Sequence, residues 1–155
     1  MSDPFVAYHE GLVAVHRALA EELRRLADVD TADVARAHGV GGFLLGHHHV
    51  ESAIVFPGLR RHGRLRSTDV AFLDARDAEH VAVEAACRQL AAMSASASAS
   101  AADIARLGAE LLAMFEPHVA AEEDGLRPAV LRTMISREGL DAIGREVQAH
   151  HARRA

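Results

Sequence analysis

Apolar residues recur at alternating steps of three and four positions in four long stretches of the chain, which is the spacing of one face of an α-helix. Polar caps and prolines mark the boundaries, and the predicted helices begin near residues 3, 31, 67 and 102, with a shorter one at about 136–150. Four amphipathic helices joined by short links predict an all-α fold, an antiparallel up-down four-helix bundle with a short extra C-terminal helix.

The length of the chain fits this architecture. Its 155 residues are enough for one domain with a buried core, so we predict a single domain over residues 1–155 with the bundle at about 4–130. The stretch SASASASAA, residues 94–102, is predicted to be a flexible connection between the third and fourth helices. His150 and His151, beside two arginines at the end, are predicted to lie in a disordered tail.

Glycines are concentrated in the second predicted helix, at positions 39, 41, 42 and 46. They lower the helix propensity of this segment, so tertiary packing must hold it in a helix. Because glycine has no side chain, these positions also allow a neighbouring helix or a ligand to come close.

Polar residues occupy the apolar face of every long helix. Each face contains a histidine where a leucine is expected, and three of them add a glutamate one turn later. The pairs are His47–Glu51, His80–Glu84 and His118–Glu122, and His16 is the histidine of the first helix. Residues four apart lie on one side of a helix, so these groups are predicted to face one core. Buried charge without a partner is very costly, and these faces contain too little lysine or arginine to supply one.

A cation between the helices would compensate all of these side chains together. Two ions fit better than one, because four histidines and two or three carboxylates exceed a single coordination sphere. Mixed imidazole and carboxylate donors without thiolate favour iron or manganese. The alternative for any single histidine is a core residue bonded to a backbone carbonyl, but four at matching depth beside glutamates favour metal.

A repeat extends this pattern, because His47-x3-Glu51-x5-Pro57 recurs as His118-x3-Glu122-x5-Pro128. With His16, HHHVESAIVFP, EHVAVE and HVAAEEDGLRP, the chain resembles the hemerythrin-like, or HHE cation-binding, family over roughly residues 8–130. The resemblance implies a four-helix bundle that holds two non-haem iron ions, ahead of manganese or zinc. The ligands it implies are His16, His47, Glu51, His80, His118 and Glu122.

The third helix departs from the oxygen-carrying members, which have a His-x3-His pair where this chain has His80-x3-Glu84. Glu84 is predicted to be a seventh ligand or to be hydrogen-bonded to one. An anionic oxygen donor favours ferric iron, which argues against reversible oxygen carriage. His48 and His49 are predicted to point to other faces than His47, and Glu123 to face away from the core.

The resemblance implies a protein that binds or senses oxygen or nitric oxide. The alternatives are a di-iron oxidoreductase acting on peroxide or a small organic substrate, iron storage, and a structural zinc site. A net charge of −5 argues against nucleic-acid binding, and no apolar run is long enough to cross a membrane. A single cysteine and the lack of a signal-peptide pattern predict the cytoplasm.

Overall fold

The fold is described by a computed structural model that covers residues 2–155. Seven α-helices and one π-helical turn follow one another, and this part of the chain contains no strand, only an isolated bridge between Gly63 and Ile135. The elements are α1 (Pro4–Ala27), α2 (Val34–Val50), the π-helical turn (Glu51–Val55), α3 (Phe56–His62), α4 (Ser67–Ser94), α5 (Ala101–Gly125), α6 (Pro128–Met134) and α7 (Arg137–Arg154).

Four of these units form the bundle: α1, the rod made of α2, the π-helical turn and α3, then α4 and α5. Around the bundle, α1 packs against α5, α5 against α4, α4 against α2, and α2 against α1. The side chains of Asp3, Asp33, Ser100 and Ser136 accept hydrogen bonds from the first turns of α1, α2, α5 and α7, which explains where these helices begin. The predicted helical bundle is confirmed. Among the described helices, none combines the length and apolar character that a membrane span requires.

The C-terminal helix α7 is longer than predicted and contains His150 and His151, so the prediction of a disordered tail is wrong. Leu140 and Ile143 bury its apolar side, and Ile143 packs so closely on α3 that a Cβ at Gly58 would lie 2.6 Å from its Cγ1. This packing holds α7 across the end of the bundle.

The π-helical turn interrupts the rod just after Glu51, where the amide of Phe56 bonds to the carbonyl of Glu51 five residues earlier. Pro57 has no N–H with which to continue the α-helical pattern, and its ring would clash with the carbonyl four residues before it. A wider turn relieves this conflict, and it places Glu51 at a break in regular helix.

Two apolar cores lie at opposite ends of the bundle. The first core contains Leu19, Leu23, Leu26, Leu44, Leu90, Ile104, Leu107, Leu111 and Phe115, among others. The second core, which includes residues of α6 and α7, contains Phe5, Leu12, Phe56, Leu59, Leu73, Leu126, Leu131 and Ile143, among others. Between them lies a buried polar layer of His16, His48, Glu51, His80, His118 and Glu122.

Candidate metal centre

The six residues of this polar layer and the neighbouring His47 come together from all four members of the bundle. One group contains His48, Glu51, His80 and His118, and the other contains His16, His47, Glu51 and Glu122. Within each group the nitrogen and oxygen atoms that could bind a metal lie within 4.8 Å of one another. Because the two groups share Glu51, the arrangement is that of a site for two neighbouring ions.

The two oxygens of Glu51 face different groups. Its Oε1 lies 3.2 Å from His47 Nε2, and its Oε2 lies 3.4 Å from His80 Nε2. On the opposite side, Glu122 Oε2 lies 3.3 Å from His16 Nε2 and 3.5 Å from His118 Nε2. Both carboxylates therefore stand between histidines of the two groups, where a carboxylate could bridge two ions.

Pairs of imidazole nitrogens also point at each other. Nε2 of His16 lies 3.1 Å from Nε2 of His47, and Nε2 of His80 lies 3.2 Å from Nε2 of His118. Two donors about 2.1 Å from a shared ion, at right angles to each other, would be separated by about 3.0 Å. The observed spacing fits donors arranged around a common ion, although N–H···N hydrogen bonds have the same length.

Buried atoms in this layer lack hydrogen-bond partners. Both carboxylate oxygens of Glu51 and Glu122 and both ring nitrogens of His48 are buried without one, although imidazole nitrogens lie nearby. Such atoms are rare in folded proteins and costly when they carry charge. One donor atom of each of these residues lies in one of the two groups, so cations placed there would satisfy these donor atoms together. The residues present thus fit the metal ions that the sequence predicts.

The protonation of the layer follows from its burial. Burial and the charge of Glu122 raise the pKa of Glu51 well above its ordinary value. Burial and neighbouring histidines lower the pKa of His47 to about 3, of His48 to about 2 and of His80 to about 4. These three imidazoles are therefore neutral at pH 7, the form in which histidine binds metal.

Two histidines are oriented by carboxylates outside the layer. His16 Nδ1 lies 2.9 Å from Glu123 Oε1, and His118 Nδ1 lies 2.6 Å from Glu79 Oε2. Glu79 is itself held by Arg76, at 2.7 Å. A carboxylate accepts the Nδ1 proton, which leaves the lone pair of Nε2 directed into the layer. The expectation that Glu123 faces away from the core is wrong, and nothing in the sequence singled out Glu79.

The third oriented histidine is His80, whose Nδ1 is held by a serine hydroxyl. Its Nδ1 lies 2.8 Å from Ser52 Oγ, and Ser52 Oγ donates to Asp77 Oδ1 at 2.7 Å. Because the hydroxyl proton is directed to Asp77, the oxygen accepts from Nδ1 of the imidazole. Asp77 precedes His80 by three residues on α4, whereas Ser52 comes from the π-helical turn.

Six of the seven predicted ligands come together in the two groups: His16, His47, Glu51, His80, His118 and Glu122. Glu84 does not join them. Its carboxylate is 47% exposed and pairs with Arg88. The buried side of α4 runs through His80, Val83 and Cys87, so position 84 falls beside that stripe. The expectation that Glu84 points into the layer is therefore wrong.

His48 lies in the layer instead of Glu84. It is 5% exposed, and its ring stacks on His80 with the centroids 4.0 Å apart. Adjacent residues of a helix point about 100° apart, and α2 lies between α1 and α4, so His47 and His48 can serve different groups. The expectation that His48 points to another face is wrong, whereas His49 is exposed as expected.

An open cleft of about 2240 Å³ reaches the layer between α1, α2 and α7. Gly11 of α1 and Gly42 and Gly46 of α2 lie along it, and a Cβ at any of the three would meet no atom within 4 Å. No helix therefore packs closely on these glycines. For Gly42 and Gly46, for which the sequence predicted the approach of either a helix or a ligand, the approach of a ligand fits better.

Tyr8 lies on the wall of the same cleft, near the carboxylates. Burial and the negative charges of Glu51 and Glu122 raise the pKa of its phenol well above the ordinary value. The phenol is thus protonated at neutral pH and can donate a hydrogen bond to a molecule that enters the cleft.

Comparison with known families agrees with this geometry. The sequence model of the hemerythrin HHE cation binding domain matches residues 7–130, a range that includes every member of the two groups. Comparison with curated proteins and with solved structures gave no match. The match spans most of the chain, from the first turn of α1 into α6. The chain therefore belongs to the hemerythrin HHE cation-binding domain family.

Proposed function

We propose that this protein is a non-haem di-iron protein that binds or senses oxygen or nitric oxide. The observation that carries the proposal is the pair of donor groups that share Glu51, with buried carboxylate oxygens that have no hydrogen-bond partner. Imidazole and carboxylate donors without thiolate suit iron, and carboxylate-bridged metal pairs are well known in the cores of helical bundles.

The chain would divide its donors between the two ions. His48, His80 and His118 would hold one ion, and His16 and His47 the other, with both carboxylates between them. Two ions that each accept up to six donors would leave positions free, because five imidazole nitrogens and two carboxylates supply at most nine donor atoms. Positions therefore remain for a small ligand. Iron held in this way supplies electrons and a coordination position to an oxidant.

Hydrogen bonds to three of these histidines preorganise the donors for metal binding. Glu123, Glu79 and Ser52 hold the Nδ1 side of three rings, so the Nε2 lone pairs point into the layer. Such outer partners also increase the basicity of a histidine ligand. Tyr8 lines the cleft, and its phenol would donate a hydrogen bond to the bound molecule.

The position of Glu84 bears on the choice between candidate activities. Reversible oxygen binding was disfavoured because an anionic donor was expected from α4, but this carboxylate pairs with Arg88 outside both groups. The neutral imidazole of His48 lies in the layer in its place. Oxygen binding is therefore the first function to test.

A second candidate is a di-iron oxidoreductase that acts on peroxide or a small organic substrate. The cleft favours it, because a volume of about 2240 Å³ is far larger than a diatomic molecule needs; one water occupies roughly 30 Å³. We propose the cytoplasm as the setting in both cases. Cys87 is buried with its pKa raised to about 11, which suits an unreactive core thiol.

The test is the metal content of the protein, purified or reconstituted with ferrous iron, together with its absorption spectrum under oxygen, nitric oxide and peroxide. We expect two irons per chain and a spectral change with one of these ligands. His48→Ala and His118→Ala should each lose at least one iron, while His38→Ala, on the exposed side of α2, should lose none. Tightly bound zinc with no spectral response would support a structural site instead.

A further inference from the structure

Three histidines outside the metal centre meet at the mouth of the cleft. His49 of α2 and His150 of α7 have ring centroids 5.4 Å apart, and His151 follows with its ring 5.6 Å from that of His150. All three line the cleft that leads down to His47 and His48. None of them belongs to the two buried groups.

The separation of His49 and His150 suits a shared ion. With a metal–nitrogen bond of about 2.1 Å, a ring centroid lies roughly 3.2 Å from the metal, so two imidazoles on one ion have centroids about 4.5 Å apart at a right angle and about 5.2 Å apart at a tetrahedral angle. The two rings come from different helices, and α7 is held in place by Leu140 and Ile143. Their approach therefore needs no large movement of the backbone.

The surroundings leave both rings available. Neither the ring of His49 nor that of His150 has a hydrogen bond or an ion pair with another residue between positions 2 and 155. The charges near the mouth are mixed but mainly positive: Arg145 and Arg154 line the cleft together with Asp141, Arg153 also acts on His150, and Glu84 is paired with Arg88. An ion at the mouth would therefore be held by the imidazole donors rather than by attraction to acidic groups.

We propose that His49 and His150 form a surface site for a divalent transition metal ion, with water completing its coordination. The site is separate from the buried centre and does not depend on which metal fills that centre. An ion bound here joins α7 to α2 across the mouth of the cleft.

The experiment titrates the iron-loaded protein with Ni²⁺, which binds imidazole well, and counts bound ions by calorimetry. We expect one Ni²⁺ per chain beyond any bound elsewhere, with affinity at least tenfold weaker in His49→Ala and in His150→Ala. His38→Ala, which removes an exposed histidine from the same helix as His49, is the matched control and should bind like the parent.

The difference between the parent and His150→Ala counts the surface site alone, whatever occupies the buried groups. The same Ni²⁺ should raise the melting temperature of the parent more than that of either variant, because it links two helices. Equal Ni²⁺ binding by the parent and both variants, or no saturable binding at all, would overturn the proposal.

Discussion

Helix α1 has two neighbours in the bundle, and its contacts with them are opposite in character. Against α5 the approach is so close that a Cβ at Gly108 would lie 2.9 Å from the backbone of Leu26. Against α2, Gly11, Gly42 and Gly46 border the open cleft, and a Cβ added at any of them would have no atom within 4 Å. Glycine therefore allows close helix packing on the α5 side of α1, which we call the closed side, and borders an accessible cleft on the α2 side, which we call the open side.

The side chains that could bind metal also differ between the closed and the open side, because only those on the closed side are held by carboxylates outside the layer. On the closed side, His16 and His118 are each fixed by a carboxylate outside the layer. On the open side, neither ring nitrogen of His48 has a partner, and no carboxylate outside the layer holds His47 within the described residues. Hydrogen bonds within the protein therefore hold the donors of the closed side, whereas we expect the donors of α2 to gain their polar partners from the metal.

Removal of the metal should have the largest effect. The buried carboxylates and imidazoles would lose their common partner, so we expect the melting temperature to fall by on the order of 10 °C or more. Hydrogen exchange should increase most in α2 and the π-helical turn and least in α5. Equal melting of the two forms by calorimetry, or equal exchange in α2 and α5, would contradict the comparison.

Acid should destabilise the metal-free protein next most strongly. Buried His47, His48 and His80 have folded-state pKa values of about 3, 2 and 4, below the unfolded value near 6.5. The unfolded chain therefore takes up protons first, and stability falls as the pH drops from about 6.5 towards 3. Each group contributes at most about 1.4 kcal/mol per pH unit.

Glu51 acts in the opposite direction. Its folded-state pKa is raised, so it costs stability as the pH rises above about 4.5, and His118, whose pKa is also raised, acts in the same direction. Glu122, whose pKa is lowered, adds to the three histidines, so four groups oppose two. Urea unfolding of the metal-free protein between pH 4 and 7 measures the net slope. Stability that increases steadily on acidification would show that the three histidines are not buried in the neutral form.

Gly108→Ala tests the closed side. Its methyl group would be forced against the backbone of Leu26, and overpacking of this kind costs about 1–3 kcal/mol. The matched change on the open side, Gly42→Ala, meets no atom within 4 Å and should stabilise the helix by roughly 0.5–1 kcal/mol. Thermal or urea unfolding of both variants gives the comparison directly, and effects of the same sign would refute it.

Gly46→Leu tests whether ligands reach the metal centre through the cleft. Of the changes considered, it is expected to alter stability least. A leucine there would extend into the cleft, so we expect an organic hydroperoxide to react about tenfold more slowly, while nitric oxide binds at nearly the parent rate. Gly41→Leu is the control, because it lies on the same helix with open space around it but does not line the cleft. Identical rates in the two variants would remove the support for an organic substrate.

Much of this architecture could be predicted from the sequence, because burial of histidine and glutamate on an apolar face is a strong signal. The fold and the convergence of six donors followed from it. The assignment of Glu84 failed because the steps of three and four on α4 can be taken in either order, and only the packing of Val83 and Cys87 shows which order is used.

His48 was missed for a related reason. Helix α2 is rich in glycine and has few large apolar residues to mark its buried side, so the sequence does not reveal that two adjacent histidines both face inward. The partners Glu79, Glu123 and Ser52 depend on contacts between different helices. No spacing within one segment could indicate them.

The π-helical turn indicates where the helices of related proteins can gain or lose a residue. An insertion inside a helix normally rotates every later residue by about 100°, which would turn an apolar side out of the core. In the turn at Glu51–Val55 one additional residue is absorbed locally, and Phe56 and Leu59 still pack in the second core. Among evolutionary relatives, single-residue insertions and deletions within the bundle helices are therefore expected at this turn before any other place.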